Sequence, residues 1–129
     1  MVDPITDMLN RITNAQAVDH PTVDLPFSNL KYQILEILEK NGLVQKIEKK
    51  GRKTDKTITI TLKYEDKEPA ISGFKKISKP GQRIYDSWHE IKRVKSGFGI
   101  AVVSTSKGLM IDKEARKQKI GGEILFEIW

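Results

Sequence analysis

With 129 residues, 38% of them apolar, and no cysteine, the chain has material for one compact domain or two small ones, and disulfides and thiolate metal sites are excluded. No apolar run approaches the length of a bilayer span, and Asp3, Pro4 and Asp7 replace the basic head of an export signal, so a soluble, unexported protein is expected. The formal charge of +6 is unevenly placed: between Lys75 and Lys119 stand twelve Lys and Arg against four Asp and Glu, an excess that points to a polyanion partner, above all nucleic acid.

In chain order, Asp3 followed by Pro4 predicts an N-cap with proline in the first turn, and Ile5, Met8, Leu9 and Ile12 then share one helical face. His20-Pro21 breaks that helix, and Val23 and Leu25 alternate with polar residues as a brief strand. Ser28 is a cap for a second helix with the apolar stripe Leu30, Ile34, Ile37 and Leu38, which Asn41-Gly42 ends. From Thr57 to Tyr64 the period is two, giving a half-buried strand whose hairpin partner is Leu43 to Lys49. Lys50 to Asp55 supplies the turn and three positive charges. The charged run Glu65 to Pro69 is the expected junction between two lobes, 1–66 and 67–129.

Beyond the junction, Ala70 to Ile77 reads as a strand, Lys79-Pro80-Gly81 as a turn and Arg83-Ile84-Tyr85 as a short extended piece. Ile100 to Val103 is a buried strand that stops at the hydroxyl loop Ser104-Thr105-Ser106-Lys107-Gly108, after which Leu109 to Ile111 reverses the chain. Asp112 is a cap for a last short helix ended by Gly121-Gly122, and Glu123 to Trp129 alternates as a closing strand. The fold class is therefore α+β, with an N-terminal α-β-α-β-β unit and a mostly β C-terminal lobe with short helices.

Chemistry narrows the partner. Ser104-x-x-Lys107 has the serine and lysine spacing of penicillin-binding enzymes, but the companion Ser-Asp-Asn and Lys-Thr-Gly motifs are missing. Gly97-x-Gly99 lacks the third glycine of a dinucleotide loop and precedes its strand, so close backbone packing explains it better. His89-Glu90 would need a second histidine where Arg93 stands, and the only other histidine is His20. No catalysis, metal or cofactor is expected. Helix 112–119 offers only Ala115 opposite its lysines, too little for a membrane-surface helix. Short hydroxyl side chains beside Lys107 suit phosphate oxygens, ribose hydroxyls and base edges, and Tyr85, near Arg83 and Lys79, suits stacking on an exposed base, so RNA fits best.

Gly99-Ile100-Ala101-Val102-Val103-Ser104-Thr105-Ser106-Lys107-Gly108, with Asp112-Lys113-Glu114-Ala115-Arg116 and Gly121-Gly122-Glu123, resembles bacterial small-ribosomal-subunit protein eight. Asp3 to Ile12 is similar to that family's opening helix, and Ser78 to Gly81 with Arg83 to Tyr85 to its central turn. The resemblance implies a cytoplasmic, non-enzymatic constituent of the small subunit that binds an irregular helix in the central domain of 16S ribosomal RNA and helps assemble the platform. It also implies contacts with small-subunit proteins five and twelve, and in some members repression of their own messenger RNA. The positions it implies are Ser104, Thr105, Ser106, Lys107, Gly108, Tyr85 and Glu123; charge adds Lys79 as an expected phosphate contact. A secondary N-terminal contact would use Thr6, Asn14, Ser28, Lys31 and Lys56. Thr13 stands where the family usually has arginine, which puts one N-terminal phosphate contact in doubt. Gln82, Phe98 and Ile111 also depart from it, in packing or capping.

Overall fold

The computed structural model describes residues 3–52 and 54–129, so Lys53, one of the three cations expected at the hairpin tip, lies outside the described residues. The chain forms two compact units, Met1–Ile71 and Ser72–Trp129.

In the first unit, α1 (Pro4–Ala17) begins where Asp3 accepts the Ile5 and Thr6 N–H groups, and it buries Ile5, Met8, Leu9 and Ile12. Strand β1 (Thr22–Pro26) leads to α2 (Asn29–Lys40), capped by the Ser28 hydroxyl. Its stripe differs from expectation at one position: Leu35 is buried while Leu30, in the first turn, is 44% exposed. Strands β2 (Val44–Lys50) and β3 (Thr57–Leu62) make the hairpin, and the sheet order is β1-β3-β2, all antiparallel. Ile58, Ile60 and Leu62 point inward, as strict alternation requires.

The charged run 65–69, expected as the junction, carries a small hairpin. β4 (Tyr64–Glu65) and β5 (Glu68–Pro69) pair, with Asp66 and Lys67 at positive φ in its turn. The Ala70 N–H then donates to the Lys63 carbonyl, and Gln16 Nε2 donates to the Ile71 carbonyl at 3.2 Å. Ser72 and Gly73 bond instead to the Trp129 backbone. The two units therefore divide at 71/72, where these partners change.

The second unit is built on β10 (Gly122–Ile128). One edge of β10 pairs with β8 (Ile100–Thr105), which pairs with β9 (Gly108–Ile111). Its other edge is shared by two short strands, β6 (Phe74–Lys76) and β7 (Tyr85–Asp86). The strand read over 70–77 is thus only three residues long. Between β6 and β7 the chain leaves the sheet in a turn closed by a Lys79–Gln82 bridge and by buried Ser78, whose hydroxyl accepts the Ile84 N–H at 3.0 Å. Opposite this excursion β10 carries a bulge: the register shifts between Ile124 and Phe126, and the Leu125 carbonyl accepts from Ile77, Ser78 and the Lys76 ammonium. The bulge inserts one residue, so Ile124, Leu125 and Phe126 are all buried where simple alternation would expose Leu125.

Helix α3 (Asp112–Gln118) starts one residue earlier than a cap at Asp112 requires. Ile111 is the N-cap and makes no side-chain cap bond; Asp112 lies within the first turn. Its 1%-exposed carboxylate is turned inward, where Oδ1 accepts the Ala101 N–H at 3.1 Å and Oδ2 lies 2.9 Å from Arg116 Nη2. That ion pair lacks hydrogen-bond alignment. The helix ends on Lys119, at φ 56 and ψ 46, and not on the glycines. Gly122 serves a different purpose: a Cβ there would collide with the Ser104 carbonyl across the β10–β8 pair. Gly99 does mark close packing, because a Cβ would meet Val94 Cγ1 at 2.6 Å and the Ile128 carbonyl at 2.8 Å.

Candidate nucleic-acid interface

One row crosses the second sheet: Tyr85 on β7 opposes Glu123 on β10, Glu123 opposes Ser104 on β8, and Ser104 opposes Leu109 on β9. The core shared with α3 contains Ala101, Val103, Ala115 and Ile124. Since neighbouring strand residues face opposite ways, Ser104 and Glu123 lie on the face away from that helix. Tyr85 is 69% exposed, so its ring is a free platform and not the half-buried strand tyrosine that alternation alone would allow.

The hydroxyl loop is the β8–β9 turn, and its three alcohols divide by task. Thr105 Oγ1 donates to the Gly108 carbonyl at 2.8 Å and accepts the Lys107 N–H at 3.1 Å, which holds the turn closed. The hydroxyls of Ser104, half-buried, and Ser106, exposed, have no hydrogen-bond partner among the described residues. Lys107 and Gly108 are exposed at the tip, with Gly108 at φ 106. Two free alcohols and a lysine thus stand at one end of the row. At the other end, Glu123 Oε2 accepts from Arg83 Nη1 at 3.2 Å. Arg83 is a residue the sequence reading left out of the site. Its signal is its position two residues before Tyr85, which places it on the same side of an extended segment. Lys79 is exposed on the turn between β6 and β7.

In the first unit, Lys56 belongs to a patch that sequence reasoning did not assemble. Its ammonium lies 5.5 Å from the Phe27 ring, and Lys49 Nζ lies 5.3 Å from Phe27 and 4.7 Å from Tyr32. The two rings are 5.9 Å apart. Lys31 stands half-buried in the first turn of α2, its N–H donating to Ser28 Oγ at 3.1 Å. Ser28 is therefore occupied as a cap, and the Thr6 hydroxyl donates to Asp3 Oδ2. Asn14 is exposed, and Thr13 turns its hydroxyl back to the Leu9 and Asn10 carbonyls. No cluster able to hold a metal ion occurs among the described residues.

Three ionisable groups are displaced from their ordinary values. Glu90 is held below the usual carboxylate range by the Ser87 hydroxyl and N–H, and Glu48 by its hydrogen bond to Lys46 and that residue's charge. Tyr64 is raised by burial and by Asp19.

The profile of the family described as Ribosomal protein S8 matches residues 3–129, the row and the hydroxyl turn included. The chain belongs to the ribosomal protein S8 family. Small ribosomal subunit protein uS8 of Natranaerobius thermophilus is 52% identical over 130 residues, covering 100% of this chain and 98% of that protein. The uS8 proteins of Mycoplasmopsis pulmonis and Dictyoglomus turgidum are each 50% identical over 129 residues with the same coverage. Ribosomal protein S8 is a structural component of the ribosome and not an enzyme.

Proposed function

We propose that this S8-family protein is a primary binder of 16S ribosomal RNA that recognises an irregular helix of the central domain and helps assemble the platform of the small subunit in the cytoplasm. The observation that carries this reading is the Tyr85–Glu123–Ser104 row with the free Ser106 alcohol at its end. A-form RNA hides its base edges in a deep major groove but displays ribose hydroxyls in a shallow minor groove. Short alcohols on a sheet face approach that groove closely, and Tyr85 stacks on a base that an irregular helix leaves unpaired. Glu123 holds Arg83 toward the same region, while Lys79 and Lys107 neutralise phosphates and set the register. The Lys31 and Lys56 side of the first unit adds a second, weaker RNA contact. Small-subunit proteins five and twelve are the protein neighbours in this reading, and an operon messenger RNA folded like the ribosomal helix would occupy the same row and repress translation.

A titration of the full chain against central-domain 16S fragments, with excess bulk RNA present, tests the proposal. The fragment containing the irregular helix is expected to bind at least a hundredfold tighter than bulk RNA, within the usual range for specific sites. Lys79→Gln should weaken binding to all RNAs alike and reduce the salt slope by about one unit. Equal affinity for all fragments would overturn the reading.

A further inference from the structure

The opposite side of the second unit carries a feature that the alcohol row does not use. Helix α3 and the segment before β8 cover the other face of the sheet, with Ala115, Ile91 and Val94 packed on Ala101, Val103 and Ile124. In the outer surface of that cover lies a cleft of about 620 Å³ lined by Arg93, Gly97, Lys113, Arg116 and Lys117. Four of the five are cations and none is acidic. Arg116 is committed inward, to Asp112 and, at 3.4 Å, to the Ile91 carbonyl. Lys113 Nζ reaches only the Gly97 carbonyl, at 3.5 Å. Arg93 and Lys117 are exposed and have no ion pair or hydrogen bond among the described residues. Three cations thus converge without a counter-ion, an arrangement that raises the local anion concentration.

The residue after one of the lining residues is aromatic. Phe98 follows Gly97 and is 91% exposed, displayed by a turn in which Lys95, Ser96 and Gly97 have φ of 47, 55 and 98. Side-chain-bearing residues rarely adopt that conformation, and here it is held by Phe98 N–H to Lys95 and Gly99 N–H to Val94 bonds, each 3.1 Å. The turn is thus a built feature of the fold. Unpaired cations lining a cleft, with an exposed ring on the residue after its Gly97, match the repeating unit of an unpaired strand, which alternates charge and base face. No large apolar side chain is among the residues lining the cleft, as the core of a protein interface would require.

We propose that this cleft is a second RNA site for a single-stranded segment, with Arg93, Lys113 and Lys117 on consecutive phosphates and Phe98 stacked on one base. It rests on the RNA-binding reading above and extends it, because the lobe then grips two RNA segments on opposite faces of one sheet.

Fluorescence anisotropy of a labelled uridine dodecamer, with the full chain alone and saturated by a 16S fragment trimmed to the irregular helix, decides it. The dodecamer should bind in both cases with affinities within about threefold, and with a salt slope near −2, about 0.7 for each of three phosphates. Arg93→Gln with Lys117→Gln should weaken the dodecamer about tenfold or more and remove about 1.4 of that slope. Phe98→Ala should weaken it about fivefold or more. The same variants should leave fragment affinity within about twofold. Mutual exclusion of dodecamer and fragment, or dodecamer binding indifferent to both variants, would overturn the proposal. So would tighter binding of an octaglutamate peptide, which would assign the cleft to a protein. Failure of the trimmed fragment to outcompete bulk RNA would instead overturn the proposed function, while the dodecamer's response to the variants stays readable.

Discussion

Thr105 and Ser106 are adjacent alcohols with different duties, and substitution separates them. Thr105→Ala removes two hydrogen bonds that close the β8–β9 turn, so it should cost about 1–2 kcal/mol of stability in urea denaturation and weaken RNA binding as a consequence. Ser106→Ala should leave the unfolding midpoint unchanged and act on the cognate RNA alone. Asp112 is the most demanding single residue of the second unit. Asp112→Ala leaves the Ala101 N–H without its acceptor and Arg116 without its counter-charge, and is expected to cost about 3 kcal/mol, read as a shift of the urea midpoint. Glu90 offers a titration test. Its carboxyl accepts from Ser87 Oγ at 2.5 Å and Ser87 N–H at 3.0 Å, which favours the ionised form. A group whose folded value is depressed stabilises the fold above the ordinary carboxylate value and loses that contribution as pH falls through the depressed one. Carbon-detected NMR of Glu90 should therefore show a midpoint below an unstructured glutamate, and Ser87→Ala should move it upward. At this scale the hydroxyl loop was legible because hydroxyls cluster in sequence. Arg83 joins the candidate site through Glu123, forty residues along the chain, and the Phe27–Tyr32–Lys49–Lys56 patch needs α2, β2 and the residues flanking β1 and β3 to meet.

Among elements, those set by periodicity were readable: α1, α2 and the β2–β3 hairpin follow from spacing and caps alone. The β10 bulge was not, because a register shift is decided by the partner strands, here the excursion between β6 and β7. The small hairpin within the run 65–69, expected only as a junction, was not readable for a related reason, since its charge and Pro69 give no strand signal while the turn at Asp66 and Lys67 pairs the flanking residues. Gly121-Gly122 looked like a helix stop but gives room for strand approach, and Lys119 supplies the left-handed end of α3. Two outcomes follow. Gly122→Ala should destabilise the second unit by about 2–3 kcal/mol and, by pushing β10 from Ser104, weaken cognate RNA binding as well, measured by thermal melting and titration together. Lys119→Gly should stabilise by about 0.5–1 kcal/mol, because glycine adopts positive φ without the Cβ penalty.

Across the whole molecule, charge and chemistry are sorted onto surfaces. Of the twelve cations of 75–119, Lys79, Arg83 and Lys107 belong to the proposed alcohol-row site, while Arg93, Lys113, Arg116 and Lys117 line the cleft. Composition alone points to a polyanion partner; the assignment of cations to one face or the other is a proposal that draws on β7, β8 and β10 lying side by side. The division of labour between alcohols that read and cations that position is the central claim. The ratio of dissociation constants for bulk RNA and for the 16S central-domain fragment, measured for wild type and for Ser104→Ala with Ser106→Ala, tests it most directly. A loss of about 2–4 kcal/mol on the fragment with bulk RNA unchanged is the expected result, a fall in the ratio of at least tenfold. An equal loss on both RNAs, leaving the ratio where it was, contradicts it.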